Sequence, residues 1–496
     1  MNNLSELLVD RRQTCGDRPF GLVGDHEPFR DAFDRAARLA TLLGDLAVQP
    51  GQRVAVIGTN SRSYLAIWMA LQLAGVETAL LNPTYPPELL AEMVSDLEPD
   101  AITWIGTEPQ PSVGPQLRHL DASRASDGEI TAGGAVHAAP PQSGPLPGLA
   151  RQPSDTAGYM HTSGTTGTPK FCAQTHEYFL RLGRFIADSM SFSERDVVFA
   201  PLPLFHINPL GYGVIGGLVG RAGVLSSQRF SASRFWSEVR AEGVTALVLH
   251  GPPVEILKRT GTPADAAGHS VRITFFADAE FLDQFAVPLG VSAYGSTEAG
   301  GLSHLWLWRR GEVADLPEGM SRYGGRARHE VVWRVDDDGE IYVRALRPNV
   351  LFDGYRRRGE LIRPFDADGW FATGDLGRVD EQGNLVFIER RAESIRVKGE
   401  FVPIGYVENV FAKVGGIDDL AIWRQAGELG DDEVVLFVTG EAIDVDAIRA
   451  VRDELPPFMR PSLLVRLKLM PRDDGVGKVR RRELDDAERL ESWVLA

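Results

Sequence analysis

Short apolar runs separated by helical patterns constrain this chain more than any other feature. Gln52-Arg-Val-Ala-Val-Ile-Gly58 is an apolar run bounded by glycines, residues 64–75 carry a helical pattern, and Glu77-Thr-Ala-Leu-Leu-Asn82 is a second apolar run. Strand, helix and strand at this spacing predict βαβ units around a parallel sheet. Residues 28–47 place Phe33, Ala36, Leu39, Leu42 and Leu43 at helical spacing and predict a helix before them. Apolar runs return at 197–201, 244–249 and 271–276, again separated by helical patterns. No internal repeat is apparent.

The segment 107–155 holds eight prolines and many small residues, so it reads mostly as an exposed loop. Val197–Gly220 carries no Lys, Arg, Asp or Glu and passes the threshold of roughly 18 residues for a membrane span. Pro201, Pro203, Pro209, His206 and Asn208 interrupt it, so it reads as a buried strand, a loop and a buried glycine-rich helix, with no membrane span. From about residue 330 the pattern becomes β-type, in Val331-Val-Trp-Arg-Val335, Glu340-Ile-Tyr-Val-Arg344 and Asn384-Leu-Val-Phe-Ile388. Asp336-Asp-Asp-Gly339 and Asp380-Glu-Gln-Gly383 split these runs with turn chemistry. After Arg390 the pattern mixes helix and strand over enough chain for a small domain, and the charged stretch 389–400 suits a junction.

Composition excludes several classes. With 43% hydrophobic and 24% charged residues, the 496-residue chain is neither disordered nor fibrous. A net charge of −16 argues against a general nucleic-acid binder, which must neutralise phosphates. It leaves room for a local basic pocket that takes a small anion. The two cysteines, Cys15 and Cys172, form neither a disulfide framework nor a metal-ligand spacing, and they fit a reducing compartment. The start Met1-Asn-Asn-Leu-Ser-Glu lacks a basic segment followed by an apolar core, so the expectation is a cytoplasmic protein without a signal peptide.

Four segments carry chemistry. Tyr159-Met-His-Thr-Ser-Gly-Thr-Thr-Gly-Thr-Pro-Lys170 packs hydroxyls around Gly164 and Gly167 and ends in a lysine. Glycines let backbone N–H groups approach an anion, and a lysine adds charge. The usual P-loop order is absent, and on composition alone this is either a flexible loop or a phosphate cradle. Ala293-Tyr-Gly-Ser-Thr-Glu-Ala-Gly300 offers a hydroxyl for phosphate (Thr297), a carboxylate for a divalent cation (Glu298) and an aromatic face for a base (Tyr294); alone it is a turn. Trp370-Phe-Ala-Thr-Gly-Asp-Leu-Gly377 places an acid where ribose hydroxyls could bind, or is a plain turn. Pro471-Arg-Asp-Asp-Gly-Val-Gly-Lys-Val-Arg480 sets Lys478 on a basic, Gly-flanked loop, or is a solvated tail.

Taken together, in this order and at these intervals, the four segments resemble the adenylate-forming superfamily of acyl-CoA synthetases, luciferases and peptide-synthetase adenylation domains. The resemblance covers about residues 20–485. Pro201-Leu-Pro-Leu-Phe-His-Ile-Asn208 and Arg229-Phe-Ser-Ala-Ser-Arg-Phe-Trp236 look like the acyl-CoA synthetase branch, the latter like crotonobetaine/carnitine-CoA ligases. The implied fold is α/β: a large N-terminal domain, 1–390, of stacked mostly parallel sheets with helices plus a distorted β-barrel, and a small mobile α+β C-terminal domain, 391–496, hinged near 390–393. The implied activity is that of an AMP-forming acid-thiol ligase, with ATP, Mg2+ and coenzyme A as cofactors. A carboxylic acid is activated as an acyl-adenylate and its acyl group then passes to the CoA thiol, each step using a different face of the mobile domain.

The resemblance also implies residue roles. Thr162, Ser163, Gly164, Thr165, Thr166, Gly167 and Lys170 cradle the pyrophosphate part of ATP. Tyr294, Gly295 and Ser296 lie at the nucleotide with Tyr294 near adenine, Thr297 contacts the α-phosphate, Glu298 holds Mg2+, Asp375 binds ribose, and Arg390 reaches the nucleotide. Lys478 serves adenylation, whereas Lys398 and Gly399 serve thioester formation. The acyl pocket takes Phe205, His206, Asn208, Gly211, His250, Gly251, Phe276, Ala277 and Gly300. His206 and Asn208 stand where amino-acid-activating domains usually place an Asp, so a standard amino acid is disfavoured. Acids and aromatics in His250–Glu255 and Phe275–Glu280 point to a bulky or partly polar acid.

The sequence departs from the family pattern in three places. Pro471 precedes Lys478 by seven positions, where the family usually has six. Phe401 and Tyr406 replace an Asn and a Glu while Glu408 remains, and Asp278-Ala-Glu280 replaces an apolar stretch in a shortened loop. The first departure supports a different specialisation: an enzyme that thioesterifies a pre-formed acyl-adenylate, supplied by a partner adenylating enzyme. A module that loads a carrier protein in trans and a phosphate-binding NTPase that needs no acid also remain open.

Overall fold

The computed structural model describes residues 1–106, 112–162, 169–312, 323–390, 395–398, 400–427, 432–472 and 479–495. The chain forms two compact units. The first comprises Met1–Pro83, Val94–His161 and Phe171–Glu389, and the second Thr84–Met93, Thr162–Lys170 and Arg390–Ala496.

Two large sheets build the first unit. In one, the strands Thr156–Thr162, Glu77–Leu81, Arg53–Gly58, Ala101–Ile105 and Arg118–Asp121 are successive parallel neighbours. Val54, Ala55, Val56 and Ile57 are fully buried, as strands covered on both faces must be. The crossover helix Arg62–Leu73 starts where the Ser61 hydroxyl accepts from the Tyr64 N–H at 3.0 Å. The long helix Phe29–Asp45 buries Phe33, Ala36, Leu39, Leu42 and Leu43, the stripe expected from its spacing.

The segment 107–155 departs from the loop expected of it. Arg118–Asp121, Glu129–Ala132 and Ala135–Ala138 are strands that extend this sheet. The last two form a hairpin in which Ala132 pairs with Ala135. Gly133 and Gly134, at φ 57° and 80°, supply the left-handed pair that a two-residue hairpin turn requires. Proline content hid this turn in the sequence.

The second sheet begins as parallel strands, Pro19–Leu22, Gly223–Ser226, Val197–Ala200, Ala246–Val248, Ile273–Phe275 and Leu289–Tyr294. It continues without a break into antiparallel strands His304–Arg309, Tyr323–Ala327, Leu385–Arg390, Trp370–Val379, Glu340–Ala345 and Val331–Val335. Gly354–Arg357 leaves this order and pairs with Phe171–Ala173 at the edge of the first sheet. Val197–Gly220 resolves into a buried strand followed by the helical segments Asn208–Ile215 and Gly216–Val219. Among the described residues no helix is long and apolar enough to cross a membrane.

Asn60 ties the two sheets together just past the carboxyl end of Arg53–Gly58. Its side chain is 3% exposed. The amide nitrogen donates to the carbonyls of Leu202 (2.8 Å) and Ser227 (2.9 Å) and meets the Ser226 hydroxyl at 3.1 Å. The amide oxygen accepts from the Leu204 N–H at 2.9 Å.

In the second unit, Asp419–Ala426, Asp432–Thr439, Leu463–Leu467 and Arg489–Val494 form a four-stranded sheet. Ala421, Trp423, Val435, Phe437, Val465 and Leu467 supply its core. Ile404–Phe411 and Val445–Glu454 are its helices, and Ile395–Val397 pairs with Glu400–Val402 as a short hairpin.

Replacing Asn60 with Ala strands buried carbonyls and an N–H at the sheet junction. The expected loss is about 1–3 kcal/mol, read as a lower urea midpoint of tryptophan fluorescence. A native midpoint would show that water or rearranged backbone takes over the role.

Candidate active site

The strand Leu289–Tyr294 ends in a tight loop that returns as His304–Arg309, with Tyr294 paired to His304. The loop has no space for side chains at its glycines. A Cβ on Gly295 would lie 2.3 Å from the Gly301 carbonyl oxygen, and one on Gly300 (φ 77°) 2.6 Å from that of Val350. The Ser296 carbonyl accepts from the N–H groups of Ala299 (3.1 Å) and Gly301 (2.9 Å). Tyrosine hydroxyls hold the remainder: Tyr178 donates to the Thr297 carbonyl at 2.7 Å and Tyr212 to the Gly301 carbonyl at 3.0 Å. Tyr355 donates to Oε1 of Glu298 at 3.1 Å, and the Phe352 N–H donates to the Glu298 carbonyl.

Tyr294 and Asp375 come together from strands Leu289–Tyr294 and Trp370–Val379. They are 6% and 2% exposed, and the phenol donates to the Asp375 carboxylate at 2.9 Å. The Tyr294 ring stacks on Phe387 with centroids 5.8 Å apart. Tyr294, Thr297, Glu298 and Asp375, expected at the nucleotide, therefore share one region of the first unit.

The segments expected at the acyl group also converge in part. Phe205 lies edge-on to His206 with centroids 4.7 Å apart, and both rings face His161, at 6.0 and 6.1 Å. Burial, reinforced by neighbouring His206, pushes His161 down to about 3, so it is neutral at working pH. Asn208 donates to the Leu249 carbonyl at 3.1 Å and ties the segment Asn208–Ile215 to the end of strand Ala246–Val248. Gly211 gives Leu182 its place, since a Cβ there would meet it at 2.8 Å. His250 precedes the helix Gly251–Thr260 as its N-cap residue. Phe276 takes a left-handed φ of 66°, and its N–H donates to the Val291 carbonyl at 2.9 Å. Ala277 is buried beside it. The acids of this region are engaged within the protein, where Glu255, Asp278 and Glu280 converge on Lys258 Nζ at 2.7, 2.6 and 2.9 Å. The Lys258 side chain is 8% exposed, and these partners outweigh burial and raise its pKa.

The other expected residues belong to the second unit or lie outside the described residues. Thr162 closes the strand Thr156–Thr162 and Lys170 opens Lys170–Thr175. Ser163, Gly164, Thr165, Thr166 and Gly167 between them, Gly399, Lys478 and the expected hinge at 391–393 lie outside the described residues. Arg390 is the last residue of Leu385–Arg390. Lys398 has a φ of 52° in the turn after Ile395–Val397. Sequence reading assigned no role to His161, Tyr178, Tyr212, Tyr355 or Lys258. His161 sits inside the Tyr159–Lys170 motif, whereas the tyrosines carry no local signal.

Magnesium chemistry suits Glu298. The ion takes one or two carboxylates together with nucleotide phosphates and water rather than an all-protein cage. Among the described residues, no cluster of three or more His, Cys, Asp or Glu forms such a cage.

Comparison with known proteins gives a consistent result. Residues 12–355 match the family described as AMP-binding enzyme. The medium/long-chain-fatty-acid–CoA ligase FadD6 of Mycobacterium tuberculosis is 29% identical over 504 residues, covering 94% of this chain and 82% of the relative. A crotonobetaine/carnitine–CoA ligase of Escherichia coli is 25% identical, covering 90% of each chain. Among solved structures, o-succinylbenzoate CoA synthetase of Bacillus subtilis, bound to a product analogue, has a TM-score of 0.83 at 21% identity, covering 99% of each chain. The same enzyme with ATP and magnesium ion has a TM-score of 0.68 at 20% identity, covering 98% of this chain and 100% of the other. At these identities the structures establish the shared α/β fold.

Depressed His161 makes stability depend on pH. An unfolded histidine binds a proton below its ordinary 6.5, which folded His161 refuses until about 3. Stability is therefore full above about 6.5 and is lost progressively as pH falls toward 3. The melting temperature should drop more steeply between pH 7 and 5 in the native chain than in His161→Phe. Parallel slopes would refute the assignment.

Proposed function

Because the chain belongs to the AMP-binding enzyme family, we propose that it is an acyl-CoA ligase: it activates a carboxylic acid with ATP and transfers the acyl group to coenzyme A. The observation that carries this reading is that relatives aligned over 90% or more of the chain are named as CoA ligases for quite different acids. Such relatives share the nucleotide and thiol chemistry and differ in the acid.

In the first step the acid's carboxylate oxygen attacks the α-phosphorus of ATP. The bond to the bridging oxygen breaks and pyrophosphate leaves. In the second, the CoA sulfur attacks the acyl carbon, AMP leaves with the C–O electron pair, and the thiol proton passes to solvent. Asp375 takes the ribose hydroxyls, and Tyr294 flanks adenine with Gly295 and Ser296 beside it. Thr297 donates to the α-phosphate, and Glu298 is the magnesium ligand. When bound, magnesium offsets the phosphate charge that would repel an incoming carboxylate. The loop 162–167 with Lys170 receives the departing pyrophosphate, and Arg390 reaches the nucleotide. Lys478 steadies the carboxylate and α-phosphate during adenylation, where fixed cations lower the barrier most. Residues 391–496 act as a mobile domain about a hinge near 390–393, bringing Lys398 and Gly399 to the site for thioester formation. The acid lies among Phe205, His206, Asn208, Gly211, His250, Gly251, Phe276, Ala277 and Gly300. Because Lys258 engages the nearby acids, this wall favours an apolar or aromatic acyl group over a cationic one.

The seven-position spacing from Pro471 to Lys478 favours a second reading, in which thioesterification of a supplied acyl-adenylate dominates. Shifting a cation by one residue displaces it by up to about 3.5 Å of chain, and misplacement of about 1 Å can cost on the order of a hundredfold in rate. Delivery to a carrier-protein thiol in place of CoA is the alternative acceptor, and residence in the cytoplasm is a further part of the proposal.

Mass spectrometry of the protein with MgATP, CoA and a pooled panel of aryl, branched, polycyclic and fatty acids tests the reading. Acyl-CoA and AMP are the expected products. ATP hydrolysis independent of any acid would point instead to an NTPase. Lys478→Ala should lower acyl-adenylate formation by about a hundredfold or more and spare thioester formation from a supplied acyl-adenylate. Unchanged adenylation would remove Lys478 from the first step.

A further inference from the structure

We infer that the hydroxyls of Tyr178, Tyr212 and Tyr355 position the Thr297–Gly301 segment for its work on phosphate and metal, with Tyr355 setting the aim of the Glu298 carboxylate. The inference rests on the ligase reading above, which makes Thr297 and Glu298 the α-phosphate and magnesium contacts.

Each hydroxyl arrives from a different element: the helix His176–Ser189, the segment Asn208–Ile215 and the strand Gly354–Arg357. Two of the bonds end on backbone carbonyls, Thr297 at 2.7 Å and Gly301 at 3.0 Å, and the third on Glu298 Oε1 at 3.1 Å. A carbonyl held by a fixed donor fixes its whole peptide plane, because that unit is rigid. The Tyr178 bond therefore orients the peptide joining Thr297 to Glu298, and with it the directions in which both side chains leave the backbone. Tyr178 and Tyr212 are buried, and a buried hydroxyl is favourable only when it has a partner. Phenylalanine would fill the same volume, so what tyrosine adds at these positions is the bond to the loop. The fit of Gly295 against Gly301 and of Gly300 against Val350 leaves the loop little freedom to find another arrangement. Tyr355 acts on the carboxylate itself. A carboxylate held by a fixed phenol loses its freedom to swing away from a cation.

The test is calorimetric titration of the full chain with ATP across a magnesium series and in EDTA. Tyr355→Phe should raise the Mg2+ concentration for half-maximal ATP binding about tenfold, as expected for losing a hydrogen bond to a charged group, and leave binding in EDTA unchanged. In a Glu298→Gln background the same substitution should add nothing, because the two act through one contact. Tyr178→Phe should weaken ATP binding about equally with and without Mg2+, because Thr297 meets phosphate rather than metal. A native Mg2+ requirement in Tyr355→Phe overturns the role of Tyr355, as does an equal loss in EDTA, which would mark general loosening. Should Tyr355→Phe fail to fold, Tyr178→Phe carries the test, and native affinity in both conditions overturns the proposal. Failure of the native chain to bind MgATP would strike the ligase reading itself, whereas native binding with unaltered variants strikes only this inference.

Discussion

One buried amide governs how the two sheets of the first unit meet. Asn60 makes four contacts with Leu202, Leu204, Ser226 and Ser227 where strands of both sheets reach their carboxyl ends. Backbone leaving a strand end has carbonyls and N–H groups that the ladder no longer satisfies, and in a buried place each unsatisfied group costs about 1–3 kcal/mol. A single asparagine, donor and acceptor at once, answers both needs. Ser226 and Ser227 extend the lock by donating to Ala200 and Pro201. The segment that follows Leu204 carries Phe205, His206 and Asn208, so the proposed acyl wall starts from this junction.

A second constraint lies behind the 294–301 loop. Arg328, almost fully buried, pairs with Glu330, which also pairs with Arg181, and Arg181 pairs with Glu177. Burial opposes a charge on Glu330, yet the two guanidiniums outweigh it and hold its carboxyl below the ordinary range. Removing one partner from such a set leaves an uncompensated charge, so the set behaves as a unit. It joins the helix that carries Tyr178 to the chain beside Gly300, and the Arg328 guanidinium lies over the Phe185 ring of that same helix. The positions of the phenol and of the loop it grips are thereby fixed by one cluster.

Much of this was legible from local pattern. The βαβ spacing at 52–82, the stripe of helix Phe29–Asp45 and the turn at Asp336–Gly339 each depend on neighbours in sequence, and each appears in the structure. The two short segments that carry Tyr294, Thr297, Glu298 and Asp375 stood out locally, and the fold brings Tyr294 onto Asp375. What escaped depends on distant partners. Asn60 reaches residues more than 140 positions away, and Tyr178 meets Thr297 across 119 positions. Nothing adjacent to either residue announces those bonds. Gly133-Gly134 was a readable hairpin signal, masked by the prolines around it. The acids near 255–280 were visible, but Lys258, which occupies them, changes their meaning, and only the fold brings it there.

The departure of Gly354–Arg357 from the antiparallel strands has a consequence for recombination between relatives. Glu340–Ala345 and Trp370–Val379 pair with each other in the second sheet, while the chain between them crosses to pair with Phe171–Ala173 in the first. The antiparallel region is therefore stitched to a strand nearly two hundred positions earlier and is not a cassette. A chimera that exchanges it must inherit a compatible 171–173 edge, or confine its crossovers to one side of the stitch.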